Sequence, residues 1–143
     1  MDYRKLAEEE ICIINFSHSK DFFSAVEPIN KGEDGVLLWM HYNKKNNVFA
    51  GELAENLGLS SGRIANILKN LEKKKYIVRG SDAKDMRKVS VILTDNGRVH
   101  ITGVYQKAID QHEKIFRALG ERDSLEFIRI LKRGHELILE GKI

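Results

Sequence analysis

A mainly helical fold with one small β-hairpin is predicted by three observations. The hydrophobic period stays near 3.6 over most of the chain, it falls to 2 over one stretch near residues 76–93, and Pro and Gly are sparse, 1 and 11 in 143 residues. The length fits a single domain, 1–143, with a modest core. Only one cysteine is present, so neither a disulfide framework nor a Cys-based zinc site is expected. No window approaches the ~20 apolar residues needed to span a bilayer, and no basic stretch leads into a long apolar core at the N-terminus. A cytoplasmic protein without membrane contact is the expectation.

The elements follow in order. Residues 3–23 read as a helix with an irregular apolar stripe of Leu6, Ile11, Ile13, Ile14 and Phe16. Glu27 to Gly32 breaks it, because Pro28 disfavours helix for its predecessor. Asp34 to Asn43 reads as a buried helix ended by the polar run Lys44 to Asn47. A short helix over 48–58 carries Phe49, Leu53, Ala54 and Leu57 on one face and stops at Gly58. The next, over 60–75, carries Ile64, Ile67, Leu68 and Leu71, the i, i+3, i+4, i+7 stripe of a core-packed helix. Tyr76 to Arg79 and Lys88 to Leu93 then alternate and are β-branched, which predicts a hairpin with a charged tip. After Thr94, a helix N-cap, the helical period returns with Ile101, Val104, Tyr105, Ala108, His112, Ile115 and Phe116 on one face. Gly120 interrupts, and a last helix over 123–140 presents Leu125, Ile128, Leu131 and Ile138.

Two short helices, a hairpin, and long helices before and after make a winged helix-turn-helix. Its core is expected at 34–97, with helical parts at 1–30 and 98–143. Those long apolar helices have too little central domain to pack on, so a second copy is the economical partner and a symmetric homodimer is expected.

The net charge of +3 conceals a strong local asymmetry. Residues 1–35 hold 4 basic and 8 acidic side chains, whereas 61–98 hold 10 basic and 4 acidic. Positive charge concentrated on one segment is the electrostatic footprint of a nucleic-acid-facing surface.

The segment Gly51 to Ile77 supplies what a helix-turn-helix needs: small Ala54 where the helices approach, Gly58 in the turn, and a polar start to the second helix. Ser60 is its expected N-cap, and Ser61, Gly62, Arg63 and Asn66 lie off its apolar face. The start of such a helix reaches base edges in the major groove. Arg63 offers a fork to guanine and Asn66 pairs with adenine, while Ser60 and Ser61 suit phosphate. The hairpin brings Arg79, Lys84, Arg87 and Lys88 together, a set suited to the negative potential of the minor groove. Asp85, two residues from Arg87, can orient it through a charge-assisted hydrogen bond. Double-stranded DNA is therefore the expected partner. A winged-helix protein–protein interaction module shares the fold and stands as the alternative, although it has no need of Arg63, Lys84, Arg87 and Lys88 along one edge.

The run ELAENLGLSSGRIANILKNLEKKKYIVRG, the D-x-R of Asp85 and Arg87, and LTDNG at 93–97 resemble the multiple antibiotic resistance regulator (MarR) family of bacterial transcription factors. The resemblance implies a dimer with interlocking terminal helices, a recognition helix in the major groove and a wing arginine in the minor groove. It assigns recognition to Ser61, Gly62, Arg63 and Asn66, and wing contact to Arg87 supported by Asp85. Phe49 departs from it, because relatives often carry a Thr or Ser cap there. It further implies a repressor of palindromic operators released by a small-molecule inducer, a metal or an oxidant.

No residue set identifies that signal. Cys12, among Ile11, Ile13 and Ile14 with no nearby cation, reads as a buried inert thiol. The histidines form no His-x-x-x-His pair, and His112 reads as a core or dimer-interface residue, so no metal or other cofactor is expected. Trp39, Met40, His41 and Tyr42 read as core or as the lining of a pocket. With no phosphate loop, nucleophile elbow or HExxH, no catalysis is expected.

Overall fold

A computed structural model describes residues 1–16, 32–81, 84 and 88–142, and the described residues form six helices and three short strands. In chain order these are α1 (Tyr3–Phe16), α2 (Glu33–Tyr42), β1 (Asn47–Phe49), α3 (Ala50–Leu57), α4 (Ser61–Lys73), β2 (Ile77–Ser81), β3 (Val89–Leu93), α5 (Asp95–Leu119) and α6 (Glu121–Leu139). The predicted continuation of the first helix to residue 23, and most of the predicted break at 27–32, lie outside the described residues. The chain divides into two compact units, Met1–Ile29 with Tyr105–Ile143, and Asn30–Val104.

In the unit Asn30–Val104, α2, α3 and α4 contribute buried Val36, Leu37, Met40, Leu53, Ile64, Leu68 and Leu71. Burying each such side chain is worth about 1.5–3 kcal/mol, so the stripe foreseen on α4 is what fixes that helix. Its strands form an antiparallel sheet in the order β1-β3-β2, with Val91 and Leu93 of β3 and Ile77 of β2 turned to the core. Register pairs Ile77 with Leu93 and Arg79 with Val91.

One prediction needs correction here. Asn47–Phe49 is a strand, not the start of a helix, and pairs Asn47 with Ile92 and Phe49 with Ser90. Phe49 keeps an extended backbone (φ −83°, ψ 145°) ahead of α3 and offers no side-chain cap. The backbone groups of this short segment are satisfied by the distant β3, which outweighs the local helical pattern.

The helical unit is built on Leu6, Ala7, Ile11, Ile109, Phe116 and Ile128, with Tyr3, Tyr105 and Ala108 packed against them. Ile109 takes a core place that the sequence reading left out, whereas Ile115 and Leu125, placed on the apolar faces of their helices, are exposed within one chain. Gly120 (φ 85°) turns the chain into α6, and buried Ser124 donates to the Phe116 carbonyl at 2.9 Å across that corner. Polar links tie α1 to α5: Arg4 reaches Asp110 at 2.8 Å and Glu113 at 3.2 Å, and also bonds Gln106.

Candidate nucleic-acid interface

α4 is capped as its sequence predicts. Ser60 has extended backbone, and its Oγ accepts from the Arg63 backbone N–H at 3.1 Å. Upstream, Gly58 sits in the left-handed region (φ 64°). The Gly58 N–H bonds the Glu55 carbonyl and the Leu59 N–H bonds the Ala54 carbonyl, the paired bonds of a Schellman stop, and glycine takes this conformation without a Cβ penalty. The helix-turn-helix geometry is thus set by Gly58 and Ser60 together.

At 100° per residue, Ile64, Ile67, Leu68 and Leu71 fall on one side of α4, and Gly62, Asn66, Lys69 and Lys73 fall in a line opposite them. The first four are buried and the second four are exposed. Ser61 and Arg63 flank that line and are exposed as well. A Cβ on Gly62 would meet nothing within 4 Å, so packing does not demand this glycine. Lys69 and Lys73 were missed in reading only the first turn and a half; carrying the same helical wheel further finds both.

The described arginines separate into two kinds. Arg4, Arg79, Arg98, Arg117, Arg129 and Arg133 each have a carboxylate oxygen within 3.4 Å. Arg63 and Arg122 are exposed with no carboxylate ion pair among the described residues, and Arg63 is the one that stands at the start of α4. An unpaired guanidinium at the start of a helix is available to an incoming acceptor without first breaking an ion pair.

Arg79, counted among the hairpin cations, is engaged elsewhere. Its backbone N–H and Nη2 both donate to Glu72, at 3.0 and 3.1 Å, joining the last turn of α4 to β2. These two hydrogen bonds hold the Glu72 carboxyl below the usual carboxylate range, the side-chain bond more than the backbone one. Lys84 and Lys88 are exposed, and the Lys88 ammonium lies 5.2 Å from the centre of the Phe49 ring. Phe49 thereby serves as a seat for a wing cation. Asp82, Asp85 and Arg87 lie outside the described residues.

Residues 35–88 match the family model of the MarR family. That stretch runs from α2 to the residue before β3. The chain is 25% identical over 130 residues to the HTH-type transcriptional regulator SarZ of Staphylococcus aureus, covering 87% of this chain and 85% of that protein. Among solved structures it resembles Streptococcus pneumoniae FabT in complex with DNA (TM-score 0.64, 21% identity, 95% of this chain and 89% of that one). It also resembles the S. aureus MepR–DNA complex (TM-score 0.60, 22% identity, 78% of each chain). These likenesses establish the winged-helix fold. Within that fold, α3 and α4 are the two helices of the helix-turn-helix and the β2–β3 hairpin is the wing.

Other residues singled out in the sequence fall in varied settings. Cys12 is half-buried, not fully buried as expected. Burial first, then the neighbouring Glu8 and Cys12, raise the Tyr105 phenol above its ordinary value. His112 Nδ1 lies 2.5 Å from the Glu10 carboxylate in the helical unit. Among the described residues no three His, Cys, Asp or Glu side chains come together as a metal site. Met40 is core, Trp39 and His41 are half-buried and Tyr42 is exposed. Among the described residues no helix is long and apolar enough to cross a membrane.

Proposed function

We propose that this protein is a sequence-specific DNA-binding transcriptional regulator, a ligand-responsive repressor that binds a palindromic operator as a homodimer. The observation that carries this reading is α4 itself. Its buried face is apolar, and its outer line of Gly62, Asn66, Lys69 and Lys73 is exposed beside unpaired Arg63. On this reading Arg63 and Asn66 read bases in the major groove. Ser60, Ser61 and the helix amides take phosphate. Lys84, Lys88 and Arg87, the last oriented by Asp85, enter the minor groove. The match to the MarR family and the DNA complexes of FabT and MepR support it.

Dimerisation is supported by apolar side chains that the helical unit leaves exposed: Ile115, Leu119, Leu125, Phe127, Ile130 and Leu139. A dimer of this kind would place its two half-sites about one DNA turn, ~34–36 Å, apart. The deciding experiment is a gel shift with duplex from upstream of the protein's own gene. A salt-sensitive, sequence-specific complex is expected; none with any such fragment would refute the reading and favour a protein-interaction module. Sedimentation at micromolar concentration is expected to show a dimer.

A further inference from the structure

The turn that ends the recognition helix is held from three sides. Lys75 adopts a left-handed backbone (φ 64°), although it is not glycine. Its N–H bonds the Glu72 carbonyl at 3.0 Å and the Tyr76 N–H bonds the Leu71 carbonyl at 3.0 Å, so the helix ends in a Schellman stop built on a lysine. A residue kept in this region without glycine's freedom persists only where its surroundings over-determine it.

Those surroundings are specific. Thr94, from the junction before α5, donates its Oγ1 to the Lys75 carbonyl at 2.7 Å. Glu33, in the first turn of α2, pairs with Lys74 at 2.9 Å. Its neighbour Asp34 accepts from His100 of α5 at 2.8 Å, and the His100 ring stacks on Tyr76 with centroids 4.5 Å apart and planes 10° from parallel. Lys74, Lys75 and Tyr76 are thus each gripped by a different part of the chain.

We infer that Asp34 and His100 are positioning residues for the recognition helix: by fixing Tyr76 they set the angle at which α4 leaves its terminal turn. Arg63 lies twelve residues before Lys75, about 18 Å along the helix axis at 1.5 Å per residue. A tilt of about 5° at the turn therefore displaces the reading end by roughly 1.6 Å, well beyond the ~0.5 Å latitude of a productive binding geometry. The apolar face of α4 fixes the helix against the core, but hydrophobic burial is non-directional. The Asp34–His100 bond and the ring stack are directional. This inference rests on the DNA-binding reading of α4.

The test uses the full chain and an operator duplex selected from random-sequence DNA by the unsubstituted protein. Specific and non-specific affinities are measured for Asp34→Ala, for His100→Phe, which keeps a ring but loses the donor, and for the double variant. All are measured below the unfolding transition of each protein. Each single change is expected to weaken operator binding about tenfold, the size of one charge-assisted hydrogen bond. The double is expected to be no worse than either single, and non-specific binding should stay within about twofold. His100→Gln, which restores a donor, is expected to recover part of the loss, a rescue that general destabilisation would not give. Operator affinity unchanged in the folded variants, two losses that multiply, or an equal loss of non-specific binding would each overturn the inference. Should His100→Phe not fold, Asp34→Ala against His100→Gln decides by the same criteria. If the unsubstituted protein selects no operator, the DNA-binding reading fails and this inference with it; if it selects one and the variants bind it equally, only this inference fails.

Discussion

Gly97 lies directly against the Tyr76 carbonyl: a Cβ on it would stand 2.2 Å from that oxygen and 2.9 Å from Leu93 Cδ1. The contact lets the first turn of α5 close on the turn after α4, where Thr94 caps α5 by accepting from the Gly97 N–H at 3.0 Å. Gly97→Ala is expected to destabilise the protein by about 1–3 kcal/mol, the range for overpacking a filled site. Gly103, also in α5, would meet nothing within 4 Å. There alanine is expected to stabilise by about 0.5–1 kcal/mol through helix propensity. Urea midpoints moving in opposite directions check the pair, and a common direction would defeat the contact argument.

Lys44 and Lys75 both sit at positive φ, 55° and 64°. Each closes a Schellman stop; at the end of α2 the Lys44 N–H bonds the His41 carbonyl and the Lys45 N–H bonds the Met40 carbonyl. Replacing either lysine by glycine is expected to raise stability by about 1 kcal/mol, the cost of a side chain in the left-handed region. Thermal unfolding measures this, and a loss at both positions would show that the lysine side chains matter more than the backbone.

Two ion pairs predict pH effects of opposite sign. The hydrogen bond that the His112 imidazole donates to the Glu10 carboxylate, against a smaller opposing effect of burial, raises His112 above the ordinary imidazole value of about 6.5. The folded protein thus holds this proton more tightly than the unfolded chain. The pair's stabilisation is complete below the unfolded value and is lost as pH rises through the folded one. Glu72 is depressed by Arg79, so its contribution is present above the unfolded carboxyl value of about 4.3 and is lost as pH falls through the folded one. Wild type minus His112→Gln stability should therefore shrink as pH rises from below the unfolded imidazole value through the raised folded one. Wild type minus Glu72→Gln should shrink towards acid pH. Flat differences in denaturant midpoint would contradict these assignments.

What the sequence discloses about this fold depends on how far apart the deciding partners lie. The α4 stripe, the Gly58 turn and the Ser60 cap are local patterns, and each is legible from neighbouring residues. The strand Asn47–Phe49 was not, because it exists through pairing with Ser90 to Ile92. The apolar stripe of α1 looked irregular because Glu10 occupies a buried place on it, stabilised by His112 far along the chain. Arg79 read as a wing cation because charge counting does not reveal that Glu72 already holds it. The Schellman stops at Lys44 and Lys75 lie inside lysine runs, of which the first reads as a polar break after a helix and the second as the last turn of one.

Lys69 and Asn66 stand on the same exposed line of α4 but carry different chemistry, which separates affinity from specificity. An ammonium on phosphate displaces a condensed counterion, so Lys69→Gln is expected to lower the slope of log K against log salt by about 0.9 per subunit, about 1.8 for the dimer. Base preference should be unchanged. Asn66→Ala removes no charge, so the slope should hold while discrimination at one base pair falls by about 1–3 kcal/mol. Lys107, exposed in the helical unit, is the control, and Lys107→Gln should alter neither. Anisotropy titrations over a range of salt concentrations, with operator and single-mismatch duplexes, read both quantities at once. A slope that changes equally for Lys69 and Lys107 would mean that the whole protein's charge, not the recognition helix, drives binding.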